Sequence, residues 1–403
     1  MISLTEIEKK LEPIFNRLDE ISTYNTKKVL DAYRKHKIST AHFAGTTGYA
    51  YTDKGKDGLC KVYSEVFGGE DAIVSPLLMS GTHTIATALF GILRPKDVML
   101  SISGMPYDTL ISTIFGRNTG SLEDLGVRFE AVDLKDGKLD EEKILKRVKK
   151  LKPKVVYLQK SRGYVNRPAI SCDVMAEIFP KIKAICKDCF IMVDNCYGEF
   201  TEKKEPLEVG ADVIMGSLIK NAGGGLAQTG GYIVGTQKAI DLISKRFSCP
   251  SLGKEVGSYE HGYRSFYQGF FLAPHVVKEA IKCAYLIGAV MEELGYNVTP
   301  KSDEITYDIV KSIEFSSEKE LVSFVQKIQY FSPIDSFVVP EAWDMVGYDS
   351  KVIMAAGTFV EGASIELSCD APIKKPYIAY FQGGLCYEQG KILGSALLES
   401  VSK

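Results

Sequence analysis

The sequence predicts an α/β fold, with a mainly parallel central sheet covered by helices and a smaller C-terminal α+β domain. Three observations predict it. Between residues 72 and 234 short apolar runs alternate with segments of helical period; residues 263–294 carry one long helical pattern; and beyond it strands and helices interleave in shorter segments. A chain of 403 residues, 45% of them hydrophobic, can bury a sizeable core and divides into two or three structural units.

The elements follow in order. Ile7, Leu11, Ile14, Leu18 and Ile21 lie at helical spacing, with Pro13 a candidate kink, and residues 39–58, rich in Gly, Thr and Tyr, read as an extended arm. The buried strands of the large unit read as Val98-Met99-Leu100, Val155-Val156-Tyr157-Leu158, Phe190-Ile191-Met192-Val193, Val213-Ile214-Met215 and Tyr232-Ile233-Val234. The long helix over 263–294 is interrupted by Pro274 and stops at Gly295. In the tail, strands are expected over 305–313, 352–355 and 363–367, and helices over 318–330 and 384–401. The expected units are an N-terminal helix and arm (1–58), a large domain (59–262), and the long connecting helix with a small domain (263–403).

Composition narrows the function. With 49 basic and 51 acidic residues the net charge is −2, so neither nucleic acid nor a membrane surface is an expected partner. No apolar run reaches the ~18 residues of a membrane span, and the first residues lack the basic-then-apolar pattern of a secretory signal. Nine scattered cysteines read as free thiols of a reducing compartment, so a cytoplasmic location is expected. Cys186 and Cys189 form a CxxC with no second Cys or His pair to complete it, and the five histidines lack ligand spacing, so no metal is expected.

Two strand ends carry the chemistry. Phe190-Ile191-Met192-Val193 ends in Asp194, and the strand through Val213-Ile214-Met215 leads through Ser217 to Lys220; both groups then lie at the carboxyl edge of the sheet, where open α/β folds bind ligands. Taken singly, each reads as a solvated boundary charge. Together they supply what a pyridoxal phosphate enzyme needs, a carboxylate to keep the pyridine nitrogen protonated and a buried amine to condense with the aldehyde. Ser217 can donate to the phosphate, and Gly223-Gly224-Gly225 lets the backbone pass close to the cofactor. Ser80-Gly81-Thr82 opens an apolar helix and reads either as an ordinary N-cap or as a phosphate cradle. Tyr107, after Gly104-Met105-Pro106, reads either as loop packing or as a ring laid on the pyridine face.

In order and approximate spacing, Ser80-Gly81-Thr82, Tyr107, Asp194 and Ser217-Leu218-Ile219-Lys220 resemble fold-type I pyridoxal-phosphate enzymes of cysteine and methionine metabolism. Thr47-Gly48-Tyr49-Ala50-Tyr51, Gly104-Met105-Pro106-Tyr107-Asp108-Thr109-Leu110, Gln159-Lys160-Ser161-Arg162-Gly163-Tyr164 and Asp194-Asn195-Cys196-Tyr197-Gly198-Glu199-Phe200 are similar to the aluminium-resistance, methionine γ-lyase-like clade. The resemblance implies a covalent link between the cofactor and Lys220, Asp194 at the pyridinium, Tyr107 stacked on the ring, and Ser80, Gly81, Thr82 and Ser217 at the phosphate. It also implies a homodimer or homotetramer with the site at the subunit interface, Tyr51 reaching the neighbour's phosphate. Relatives bind the substrate carboxylate with an arginine of the small domain, yet no arginine follows Arg264 here. Lys374, Lys375, Arg162 and Arg167 are the candidates in its place, and lysine cannot form the bidentate fork.

The implied reaction is carbon–sulfur lyase chemistry on a sulfur-containing amino acid, of methionine γ-lyase or cystathionine β-lyase type. Lys220 would move the Cα proton, and Tyr107 would donate to the leaving sulfur; the products are a thiol, ammonia and a 2-oxo acid. The same core would serve an amino-acid transferase or racemase, or a cofactor-binding protein without turnover that is linked to aluminium resistance.

Overall fold

A computed structural model describes residues 3–165, 167–345 and 350–400. The polypeptide opens on the helix Leu4–Lys35, whose Ser3 and Glu6 form a reciprocal capping box and whose Ile7, Leu11, Leu18 and Ile21 face the core. Pro13 lies within it and does not end it. The arm then contains one 3₁₀ turn, Thr40–Phe43, and runs only to Asp53, which caps the helix Lys54–Phe67; the expected boundary at residue 58 falls inside that helix.

The large sheet contains β1 (Asp71–Ser75), β2 (Val98–Ser101), β3 (Arg128–Ala131), β4 (Val155–Gln159), β5 (Phe190–Asp194), β6 (Val213–Ser217) and β7 (Gly231–Gly235). Their spatial order is β1-β7-β6-β5-β4-β2-β3, and only β7 runs against the rest. The five apolar runs read from the sequence are all strands of this sheet. Edge strand β3 escaped that reading because its Arg128 and Glu130 break the apolar run.

The smaller sheet is antiparallel and contains β8 (Asn297–Thr299), β9 (Val310–Phe315), β10 (Val352–Ala355), β11 (Ser368–Pro372) and β12 (Tyr377–Gln382), in the order β10-β11-β12-β9-β8. Two expected strands move. The one sought over 305–313 begins at Val310, and residues 363–367 form turns leading into β11, their apolar side chains Ala363, Ile365 and Leu367 buried without pairing. The helices Glu318–Tyr330 and Tyr387–Glu399 cover the segments expected to be helical; residue 401 of the second lies outside the described residues. No described helix is long and apolar enough to cross a membrane.

The helix Arg264–Glu293 joins the two sheets and continues through Pro274; Gly295 follows it in the left-handed region at φ 88°. Its Gly269 meets the loop after Lys220 backbone to backbone. A Cβ on Gly269 would stand 2.1 Å from the Gly223 carbonyl oxygen, and one on Gly224 would stand 2.2 Å from that of Gly269. Gly224 and Gly269 therefore serve this close packing, while a Cβ on Gly223 would stand 1.6 Å from the Leu218 carbonyl oxygen, constraints that the sequence reading did not see. Gly269→Ala should lower the unfolding free energy by about 1–3 kcal/mol through overpacking, measured by denaturant titration; an unchanged midpoint would show that the contact has slack.

Candidate active site

Because neighbouring parallel strands end at one edge, Gln159 closes β4, Asp194 closes β5 and Ser217 closes β6 side by side. Seven residues singled out in the sequence, Ser80, Gly81, Thr82, Tyr107, Asp194, Ser217 and Lys220, line one cavity of about 240 Å³ at that edge. Gly81 begins the helix Gly81–Ile92, and Ser80 caps it by accepting from the His83 amide at 3.0 Å. Ser80 is thus an N-cap, and the start of its helix, Gly81 and Thr82, lines the cavity, where the first N–H groups of a helix have no intrahelical partner.

Asp194 is buried. Its Oδ1 accepts from the Cys196 amide at 3.1 Å, and its Oδ2 faces the Tyr157 hydroxyl at 3.4 Å. Burial raises its pKa against the pull of Lys220, so the carboxylate lacks full compensation in the free cavity and suits a cationic ring nitrogen. Lys220 holds its Nζ 4.2 Å from the centre of the Tyr197 ring. The sequence expectation was that burial would dominate and disfavour the ammonium. Burial does act that way, but the acidic groups Cys196, Tyr197, Asp194 and Tyr107 around the amine outweigh it and raise the pKa.

Tyr107 accepts from or donates to Thr82 Oγ1 at 3.1 Å, and its amide donates to Gln159 Oε1 at 3.2 Å. Burial raises its phenol, which therefore stays protonated. Tyr197, which the residue-by-residue reading left without a role, adopts φ 69°, and Phe200 adopts φ 62°, uncommon values for bulky residues. The Tyr197 hydroxyl accepts from Ser364 at 3.0 Å, tying the site to the small sheet's side of the molecule.

The structure does not bring the remaining candidates to the cavity. Tyr51 is 66% exposed and stacks on Tyr49 with ring centres 5.4 Å apart. Arg162 is buried and committed elsewhere, its Nε to Asp308 at 3.1 Å and its Nη1 to the Thr299 carbonyl at 2.7 Å. Arg167 donates to the carbonyls of Gln159 and Ser161, and burial lowers it to about 10. Lys374 and Lys375 are exposed in the hairpin between β11 and β12, at the end of that ladder away from Ser368 and Gln382. Arg162 thus serves as a clamp, whereas Arg167 keeps its Nη1 buried without a partner.

Beneath Lys220 lies Glu199, fully buried, whose Oε1 accepts from Tyr232 at 2.7 Å while its Oε2 has no partner. Asn221 ties the Lys220 loop to the Glu199 carbonyl at 3.1 Å. Burial pushes the Glu199 carboxyl up to about 8.

Comparison with known proteins gives one family whose sequence model, described as methionine gamma-lyase, matches residues 2–402. An uncharacterized protein of Bacillus subtilis, YnbB, is 48% identical over 390 residues, 96% of this chain and 92% of its own length. Two crystal structures superpose closely. One, from Clostridium acetobutylicum, is provisionally named a cystathionine beta-lyase involved in aluminium resistance; its TM-score is 0.95 at 47% identity, covering 98% of this chain and 94% of its own. The other, a carbon-sulfur lyase involved in aluminium resistance from Clostridium novyi, has a TM-score of 0.95 at 46% identity, covering 99% and 94%. At the level of fold alone, the pyridoxal-5'-phosphate dependent protein YhfS of Escherichia coli matches with a TM-score of 0.63 at 14% identity, over 95% of this chain and 97% of its own, and the fold is that of fold-type I enzymes.

Glu199 makes stability depend on pH. Below its ordinary value of 4.5 the group is protonated in folded and unfolded chains alike; between there and about 8 only the folded chain keeps the proton, so stability falls as pH rises across that window and levels off above it. Glu199→Gln should remove a slope of roughly 1 kcal/mol per pH unit from urea-unfolding free energies of the cofactor-free protein. Parallel curves for the two proteins would mean that Glu199 does not carry the shift.

Proposed function

The chain belongs to the methionine gamma-lyase family, and from that premise we propose that it is a pyridoxal-phosphate enzyme that eliminates a thiol from a sulfur-containing amino acid, leaving a 2-oxo acid and ammonia. The observation that carries the reading is the meeting of Lys220 and Asp194 in one buried cavity with Tyr107 and the Ser80-Gly81-Thr82 cradle. The residues fit the cofactor by their chemistry. An amine, an under-compensated carboxylate, an aromatic ring and a helix amino terminus match an aldehyde, a pyridine nitrogen, a ring face and a phosphate in turn.

When bound, pyridoxal phosphate supplies an aldehyde that links to amines and a ring that stabilises negative charge on the adjoining carbon. Lys220 would hold the cofactor through its amine, and its Nζ is the group placed to carry the proton of the substrate Cα. Asp194 keeps a proton on the ring nitrogen. Ser80, Gly81, Thr82 and Ser217 hold the phosphate, with Ser217 and the cradle on adjoining elements. Tyr107, protonated because it is buried, would present its ring to the cofactor and would supply its hydroxyl proton to the leaving sulfur.

In this reading the functional unit is a homodimer or a homotetramer built from two such dimers. Tyr51, exposed and outside its own chain's cavity, would reach the partner's phosphate.

Lys220→Ala should abolish borohydride-trappable cofactor and remove 2-oxo acid formation from methionine, cystathionine and cysteine, a loss of about 10²-fold or more. Covalent cofactor surviving in that variant would place the link on another lysine. Tyr51→Phe should weaken cofactor retention in the assembled oligomer by about tenfold or less; an unchanged dissociation constant would take Tyr51 out of the site.

A further inference from the structure

Beyond Lys220 the cavity opens into a second chamber of about 210 Å³; Tyr164, Tyr197 and Lys220 line both. Its far wall is the small sheet, and it carries a carboxylate, Asp370 of β11, 4% exposed. Tyr164 Oη and Gln382 Nε2, the latter at 2.9 Å, both donate to Asp370 Oδ2, and no described hydrogen bond reaches Oδ1. Gln382 lines the same chamber, and its buried Oε1 has no partner. Two acceptor groups thus stand together on the wall of a partly open chamber.

No described lysine or arginine forms an ion pair with Asp370. Lys220, the one cation lining the chamber, is the residue assigned to the cofactor, while Arg162 is clamped to Asp308 and Lys374 and Lys375 lie at the remote hairpin. A carboxylate buried with neutral donors alone is incompletely compensated. Burial accordingly pushes the Asp370 carboxyl up to about 6, which still leaves it mostly ionised near neutrality. An ammonium group, with three donors and a positive charge, would meet both Asp370 and the free oxygen of Gln382. A second carboxylate there would face repulsion with no cation to relieve it.

Resting on the lyase reading above, we propose that Asp370, with Gln382 beside it, determines specificity and selects thioether amino acids whose sulfur bears a cationic, ammonium-tipped tail. The bond broken is the one already assigned, and the selected group leaves with the thiol.

The test offers the holoenzyme three S-substituted cysteines: S-(2-aminoethyl)-, S-propyl- and S-carboxymethyl-L-cysteine. Release of 2-oxo acid should favour the aminoethyl over the propyl compound in kcat/KM by on the order of thirtyfold or more, with the carboxymethyl compound poorest. Asp370→Asn, isosteric and checked for an unchanged circular dichroism spectrum, should collapse that ratio toward one. Equal kcat/KM across the series, or a ratio that survives the substitution, overturns the proposal. Dissociation constants for L-lysine, L-norleucine and L-2-aminoadipate, which have no sulfur to eliminate, are measured in parallel by calorimetry. Lysine binding tightest without 2-oxo acid from any conjugate would defeat the lyase reading and leave the selectivity standing; three equal constants would defeat the selectivity whatever the chemistry.

Discussion

The structure depends on keeping one carboxylate and one amine of unlike demands buried together at the end of a sheet. Asp194 and Lys220 are both buried, and neither fully satisfies the other: the carboxyl is raised by desolvation, while the groups around the amine raise it against its own desolvation. Such a pair is poor material for stability, since the desolvation of each charge offsets much of their attraction. It makes sense as a site prepared for a third group that answers both.

The scaffold holds that arrangement by backbone packing. β5 and β6 pair in parallel register, which sets the two strand ends beside each other. The loop after Lys220 is then pressed onto the long helix through Gly223, Gly224 and Gly269, where no side chain fits. Immediately past Asp194, Tyr197 and Phe200 hold positive φ, a local strain that burial of both rings counterbalances. Glu199 between them stays largely neutral near pH 7, which avoids a further buried charge under the amine.

The small sheet completes the site with polar groups, its contribution being Ser364 on Tyr197 and Asp370 with Gln382 across the chamber. The segment Gln159 to Tyr164 links the two halves: Gln159 supports Tyr107, Arg162 clamps Asp308, and Tyr164 bonds Asp370. One short stretch of chain therefore fixes Tyr107, the junction and the far wall of the second chamber.

The sequence by itself determined five strands of the large sheet, the long helix, the Ser80 N-cap and the strand-end placement of Asp194 and Lys220, because apolar periodicity and strand-end polar residues are local signals that survive without coordinates. It also misplaced two strands of the small domain, since Ile365 and Leu367 are apolar yet pack from turns, and it gave no sign that the glycine loop after Lys220 packs on the long helix. Only the tertiary structure decided that Arg162 is a clamp, that Tyr51 stands outside its own chain's cavity, that Tyr197 touches Lys220, and that a carboxylate on β11 faces the amine. Each of those depends on which segments meet in space, and neither spacing nor composition encodes the approach of residues such as Arg162 and Asp308 or Tyr197 and Ser364, more than 140 positions apart.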